Sequence, residues 1–143
     1  MTSMIGRSAL AALACAFALA AATPSLAETV NLKTTLSGKN EVPPNDSSAT
    51  GSVALSYDTE SKKLSWKGNY AGLSGAANTA HFHIGEAGKN GGVAVPIAPA
   101  TSPFEGSATL TDAQAADLLG GKFYVNIHTV KNPAGELRGQ VVK

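Results

Sequence analysis

Residues 123–129 read Phe123-Tyr124-Val125-Asn126-Ile127-His128-Thr129, and the period of that stretch decides the fold class. Large apolar side chains stand at every second position, not at every third or fourth. In a β-strand successive side chains point to opposite faces, so Phe123, Val125 and Ile127 belong to a core. Tyr124, Asn126 and His128 then take the outer face. Residues 80–84, Ala80-His81-Phe82-His83-Ile84, repeat the pattern, with His81 and His83 together on the outer face and the apolar set inward.

Outward from these two stretches the texture stays the same. From Glu28 on, short runs of β-branched and aromatic residues are separated by Gly, Pro, Asn and Asp, the signature of an all-β chain. Six to eight strands are predicted, over residues 29–36, 51–57, 63–70, from about 79 to 84, 93–96, 104–110, 123–129 and 137–142. The second and third form a hairpin through "DTESKK", and Trp66, the single tryptophan, is placed in the core. Residues 37–51, "SGKNEVPPNDSSATG", read as a loop, because Pro43-Pro44 cannot donate ladder hydrogen bonds. "GEAGKNGG" at 85–92 holds four glycines in eight residues and implies unusual backbone angles. Thr111 followed by Gln114 reads as a capping box that starts one short helix through Leu119, stopped by Gly120-Gly121. No tandem repeat and no second domain is visible.

The N-terminus has a different character. Residues 1–27 carry Arg7, an Ala/Leu-rich run and Ser25-Leu26-Ala27, which reads as a secretory signal peptide cleaved after Ala27. The apolar run is short for a spanning helix. The expected product, residues 28–143, is one exported domain, periplasmic or secreted, with no membrane association after cleavage. Cys15, the only cysteine, falls in the leader, so the mature domain has neither a disulfide framework nor a thiolate metal site. Of the 11 basic residues only Arg7 lies in the leader, which leaves the rest in balance with the 10 acidic ones. No Lys/Arg run is present, so nothing points to nucleic acid.

All 3 histidines of the chain, His81, His83 and His128, land on outer strand faces by alternation alone. If the two strands are sheet neighbours, the imidazoles can converge on one copper or zinc ion, since residues two apart on a strand lie about 7 Å apart and rotamers can bring two ring nitrogens to one metal. The plain alternative is three imidazoles on a solvated sheet. Glu136 and Arg138, two apart, share a face. Their plain reading is an ion pair or hydrogen bonds tying the "KNPAG" turn; the sharper one has Glu136 orienting an imidazole N–H and Arg138 attracting an anion. Asn126 can orient His128 or ladder with its neighbours. No G-x-S-x-G elbow and no nucleophile tied to a histidine is visible, so hydrolase chemistry finds no support.

"LSGKNEVPPNDSSATGSVALSYD", "AHFHIGEAGKNGGVAVPI" and "GSATLTDAQAADLLGGKFYVNIHTVKNPAGELRGQV" together resemble the CHRD domain, named for chordin and found in secreted bacterial proteins. The resemblance spans about residues 36–141. It implies an antiparallel Greek-key β-sandwich of about seven to eight strands, and it carries over a motif: the family's histidine positions at His81, His83 and His128, and its "GELRGQ" at 135–140. Glu86 departs from the family's frequent proline. Chordin's growth-factor antagonism resides in cysteine-rich modules absent here and does not transfer. There is also a looser similarity to copper/zinc superoxide dismutases, with an H-x-H pair, a later strand histidine and an arginine. No fourth histidine, no His/Asp zinc loop and no disulfide accompany it, so a dinuclear site is not expected.

Three readings stand. The first is a non-enzymatic binding module holding one copper or zinc ion through His81, His83 and His128. The second is a copper-dependent dismutase of superoxide with the same ligands, no separate catalytic side chain, and Arg138 steering the anion. The third is a metal-free protein-interaction domain.

Overall fold

The structure, a computed structural model, describes residues 26–143; the signal-peptide reading and Cys15 lie almost wholly outside the described residues. Eight antiparallel strands and one short helix make up the fold: β1 (Thr29–Ser37), β2 (Thr50–Asp58), β3 (Lys63–Ala71), β4 (Ala77–Ile84), β5 (Val93–Ile97), β6 (Phe104–Thr109), α1 (Asp112–Leu119), β7 (Phe123–Thr129) and β8 (Leu137–Gln140). The all-β reading with a single helix holds. Residues 37–51 contain one turn the composition did not announce, a 3-10 helix at Gly38–Asn40 with the Ser37 hydroxyl accepting the Lys39 N–H at 3.1 Å.

All eight strands join one sheet in the order β5-β4-β7-β8-β1-β2-β3-β6. The edge strands β5 and β6 come back against each other, which makes the sheet nearly a closed barrel. The β3-to-β4 and β5-to-β6 connections cross between its halves, a Greek-key arrangement. Inward-facing residues of the two halves meet in the middle: Trp66 of β3 packs edge-on to Phe82 of β4 at 5.0 Å between centroids, although the two strands are not neighbours. An aromatic pair of this geometry is worth about 1 kcal/mol beyond its burial. Gly106 makes room for the indole, since a Cβ there would stand 2.9 Å from Trp66 Cε2.

The capping box forms as read, with Thr111 Oγ1 accepting the Gln114 N–H and Gln114 Oε1 accepting the Thr111 N–H. Gly121 takes φ 74° just past the helix. The helix carries the chain from β6, at one edge, to β7 in the other half. That crossover seats β7 between β4 and β8.

One expectation fails on β7. Its outer face is not solvated: Tyr124 and Asn126 are buried there as fully as Phe123, Val125 and Ile127 on the inner face. The physical reason is a roof. Residues 85–92 and 38–47 fold back over the outer face of β4, β7 and β8, bonded to it through Tyr124, Asn126, Glu136 and Arg138.

Candidate metal centre

Strands β4 and β7 are antiparallel neighbours, with Thr79 opposite His128 and His81 opposite Asn126. His81 and His128 are therefore diagonal across one ladder, within reach of each other, and His83 lies two residues further along the same face. One ring nitrogen of each histidine lies within 4.8 Å of the other two, and all three side chains are half-buried. Ring centroids stand 5.5 Å apart for His81 and His83, and 5.4 Å for His81 and His128.

The tautomers follow from the backbone around them. His83 Nδ1 lies 3.0 Å from the Gly91 carbonyl oxygen and His128 Nδ1 lies 3.0 Å from that of Pro133. A carbonyl oxygen only accepts, so both Nδ1 atoms carry the hydrogen and both Nε2 atoms present a lone pair. Those two Nε2 atoms and Nδ1 of His81 are buried with no hydrogen-bond partner. Leaving buried polar atoms unpaired costs free energy. Three such nitrogens side by side are what a metal would satisfy. Ligands bonded at 2.0 to 2.1 Å to a tetrahedral ion are about 3.3 Å apart, so nitrogens within 4.8 Å of one another need a closing movement of no more than about 1 Å per ring to bind one.

Protonation favours the same use. Burial lowers the pKa of His81, and the neighbouring His128 lowers it further. Burial also lowers that of His83; the hydrogen bond to Gly91 opposes this, while His81, His128 and Arg138 add to it. Both rings are neutral at neutral pH, the form that ligates.

The surroundings hold His83 in place. Its ring stacks on Tyr124, directly opposite in register, at 4.9 Å and 8°. The guanidinium of Arg138 lies on the Tyr124 ring, 3.6 Å from the centroid. Arg138 is 2% exposed and donates to Asn90 Oδ1 at 3.0 Å and to the Lys89 and Glu86 carbonyls at 2.6 and 3.4 Å, fastening the glycine-rich loop. That loop supplies Gly91, which donates its N–H to the Tyr124 hydroxyl at 3.0 Å and accepts from His83.

The other polar residues singled out in the sequence sit further off. Glu136 is fully buried, and its carboxylate accepts from Ser47 Oγ, Ser74 N–H and Oγ, Thr129 Oγ1 and Asn132 Nδ2, at 2.6 to 3.1 Å. Burial pushes its pKa up, but the hydrogen bonds led by those of Ser74 and Thr129 outweigh that and hold it at about 2. Asn126 donates to the Glu41 carboxylate and to the Leu137 carbonyl. Among the described residues neither side chain bonds an imidazole. Glu41 is 7% exposed, and burial raises its carboxyl to about 7 against the lowering by Asn126 and Arg138.

With the histidines, the "GELRGQ" stretch and the "NEVPP" segment all gathered around one sheet face, their co-occurrence in the sequence has a structural basis. A family model described as the CHRD domain matches residues 32–141. The chain belongs to the CHRD-domain family. No curated protein and no solved structure matches it. No helix among the described residues of this CHRD domain is long and apolar enough to cross a membrane.

Sequence reasoning missed three residues that this CHRD domain brings to the site. Tyr124 was already on the outer face by alternation, and only its partner across the ladder was unknown. Glu41 and Asn90 lie in loops, where no period applies; the runs "NEVPP" and "KNGG" were the available signals.

Proposed function

We propose that this CHRD domain is an exported, non-enzymatic binding module that holds one copper or zinc ion through His81 Nδ1, His83 Nε2 and His128 Nε2. The observation that carries the reading is the convergence of three buried, unpartnered ring nitrogens, two of them with tautomer fixed by a backbone carbonyl. Neutral imidazoles suit Cu(II) and Zn(II), and a compartment outside the cytosol spares copper the competition of thiols. Arg7, the Ala/Leu-rich run and Ser25-Leu26-Ala27 in residues 1–27 support export to the periplasm or medium. Arg138 is buried, donates from both Nη atoms to the glycine-rich loop and lies on the Tyr124 ring, which favours a carrier over a dismutase whose guanidinium must be open to its anion.

The mature domain is expected to bind one equivalent of Cu(II) with nitrogen hyperfine structure in its electron paramagnetic resonance spectrum. His128→Ala should weaken binding by at least about 100-fold, the loss of one imidazole ligand. Failure of both copper and zinc to bind tighter than micromolar would leave the metal-free interaction domain as the reading. Superoxide dismutation faster than free copper would instead make it the enzyme.

A further inference from the structure

The sheet order seats β7 between β4 and β8, and each of the three strands sends one side chain into a row on their shared outer face: His83, Tyr124 and Arg138. Because β4 and β8 flank β7 on opposite sides, the imidazole and the guanidinium take opposite faces of the phenol ring. The imidazole lies flat against it at 4.9 Å and 8°, and the guanidinium stands 3.6 Å from its centroid. The cation is therefore no farther from the His83 ring than those two separations laid end to end.

That charge is neither screened nor cancelled. Arg138 is 2% exposed, so water and salt do little to screen it. Among the described residues no carboxylate oxygen lies within 4.0 Å of its nitrogens. Its Nη atoms donate to neutral acceptors, Asn90 Oδ1 and the Lys89 and Glu86 carbonyls. Glu41, a carboxyl that couples to its charge, is hydrogen-bonded to Asn126 instead.

The donor set of the histidine cluster adds no negative charge, since an imidazole ligates in its neutral form. A divalent ion held there keeps its full charge facing the guanidinium, and a cuprous ion carries one unit less. At a separation of about 8 to 10 Å and an effective dielectric constant of about 20, one unit of like charge costs on the order of tenfold in affinity. We propose that the Arg138–Tyr124–His83 row biases the three-histidine site towards Cu(I) over divalent ions, so that cuprous copper is the form this domain carries. The inference rests on the metal-binding reading above and names the ion which that site takes.

The test measures the affinities of the mature domain for Cu(I), under anaerobic conditions, and for Cu(II) by competition with chromophoric chelators, and reads their ratio. Arg138→Met removes the charge and Arg138→Lys keeps it, while both give up the guanidinium's bonds to the loop. Arg138→Met should raise the affinity for Cu(II) relative to Cu(I) on the order of tenfold, a fall of about 59 mV in the reduction potential of the bound copper. Arg138→Lys should stay within about threefold of the native ratio. Asn90→Asp sets a carboxylate against Arg138 Nη1 from an exposed loop position and should shift the ratio in the direction of Arg138→Met. Circular dichroism checks that each variant is folded. An unchanged ratio in Arg138→Met, an equal shift in Arg138→Lys or, where those two do not fold, an unchanged ratio in Asn90→Asp would overturn the proposal and leave the metal site standing. If the native domain binds neither ion, the metal reading itself fails and takes the proposal with it.

Discussion

Glu136 shows how much a single side chain can hold. A carboxylate with no exposed surface is tolerable only because five donors from three separate segments converge on it. Glu136→Gln keeps the shape but loses the charge and turns one acceptor into a donor facing other donors. It should cost about 2 to 4 kcal/mol in chemical denaturation. The pH dependence has a definite sign. The folded pKa, about 2, lies below the unfolded value near 4.5, so the stabilisation is complete above about pH 4.5 and is lost as pH falls towards 2. Denaturation midpoints of the native protein should drop over that window, and those of Glu136→Gln should drop less.

Among the elements, the β7-to-β8 connection sets the site's geometry with the least freedom. Pro133 fixes the tautomer of His128, and Gly135 takes φ +132°, a backbone angle that disfavours any side chain. A Cβ at Gly135 would also stand 2.6 Å from Glu41 Oε1 and 2.8 Å from Asn126 Oδ1. Gly135→Ala should therefore destabilise the domain by about 2 kcal/mol or more, and two-dimensional NMR should show shifts at Glu41 and Asn126 before those in β2 and β3. The strands were legible because alternation is a local property: Phe82 and Val125 announce their faces within a few residues. The connections were not, because a loop's path is set by where its polar atoms find partners, and those partners lie up to 98 residues away, as with Asn40 and the Arg138 carbonyl.

At the scale of the whole molecule, the histidines link β4 to β7 across one ladder, between the glycine-rich loop and the β7-to-β8 turn. A ligand that binds only the folded state stabilises it by mass action. Copper at about 100 times its dissociation constant should add about 2.7 kcal/mol to the stability of the domain. Differential scanning calorimetry checks this, and His83→Ala should show no metal-dependent rise in Tm.

The sequence by itself determined the strand faces, the capped helix, the absence of cysteine from residues 28–143 and the family, because periodicity, caps and motifs are carried by neighbouring residues. It also put three histidines on outer faces, without saying whether those faces adjoin. Only the tertiary structure decided that β4 lies beside β7, that two loops roof the face they share, and that Glu136 and Arg138 are buried beneath them. Strand order depends on which edges pair after the chain has crossed the core, and burial of a polar side chain depends on donors and acceptors brought from far along the chain.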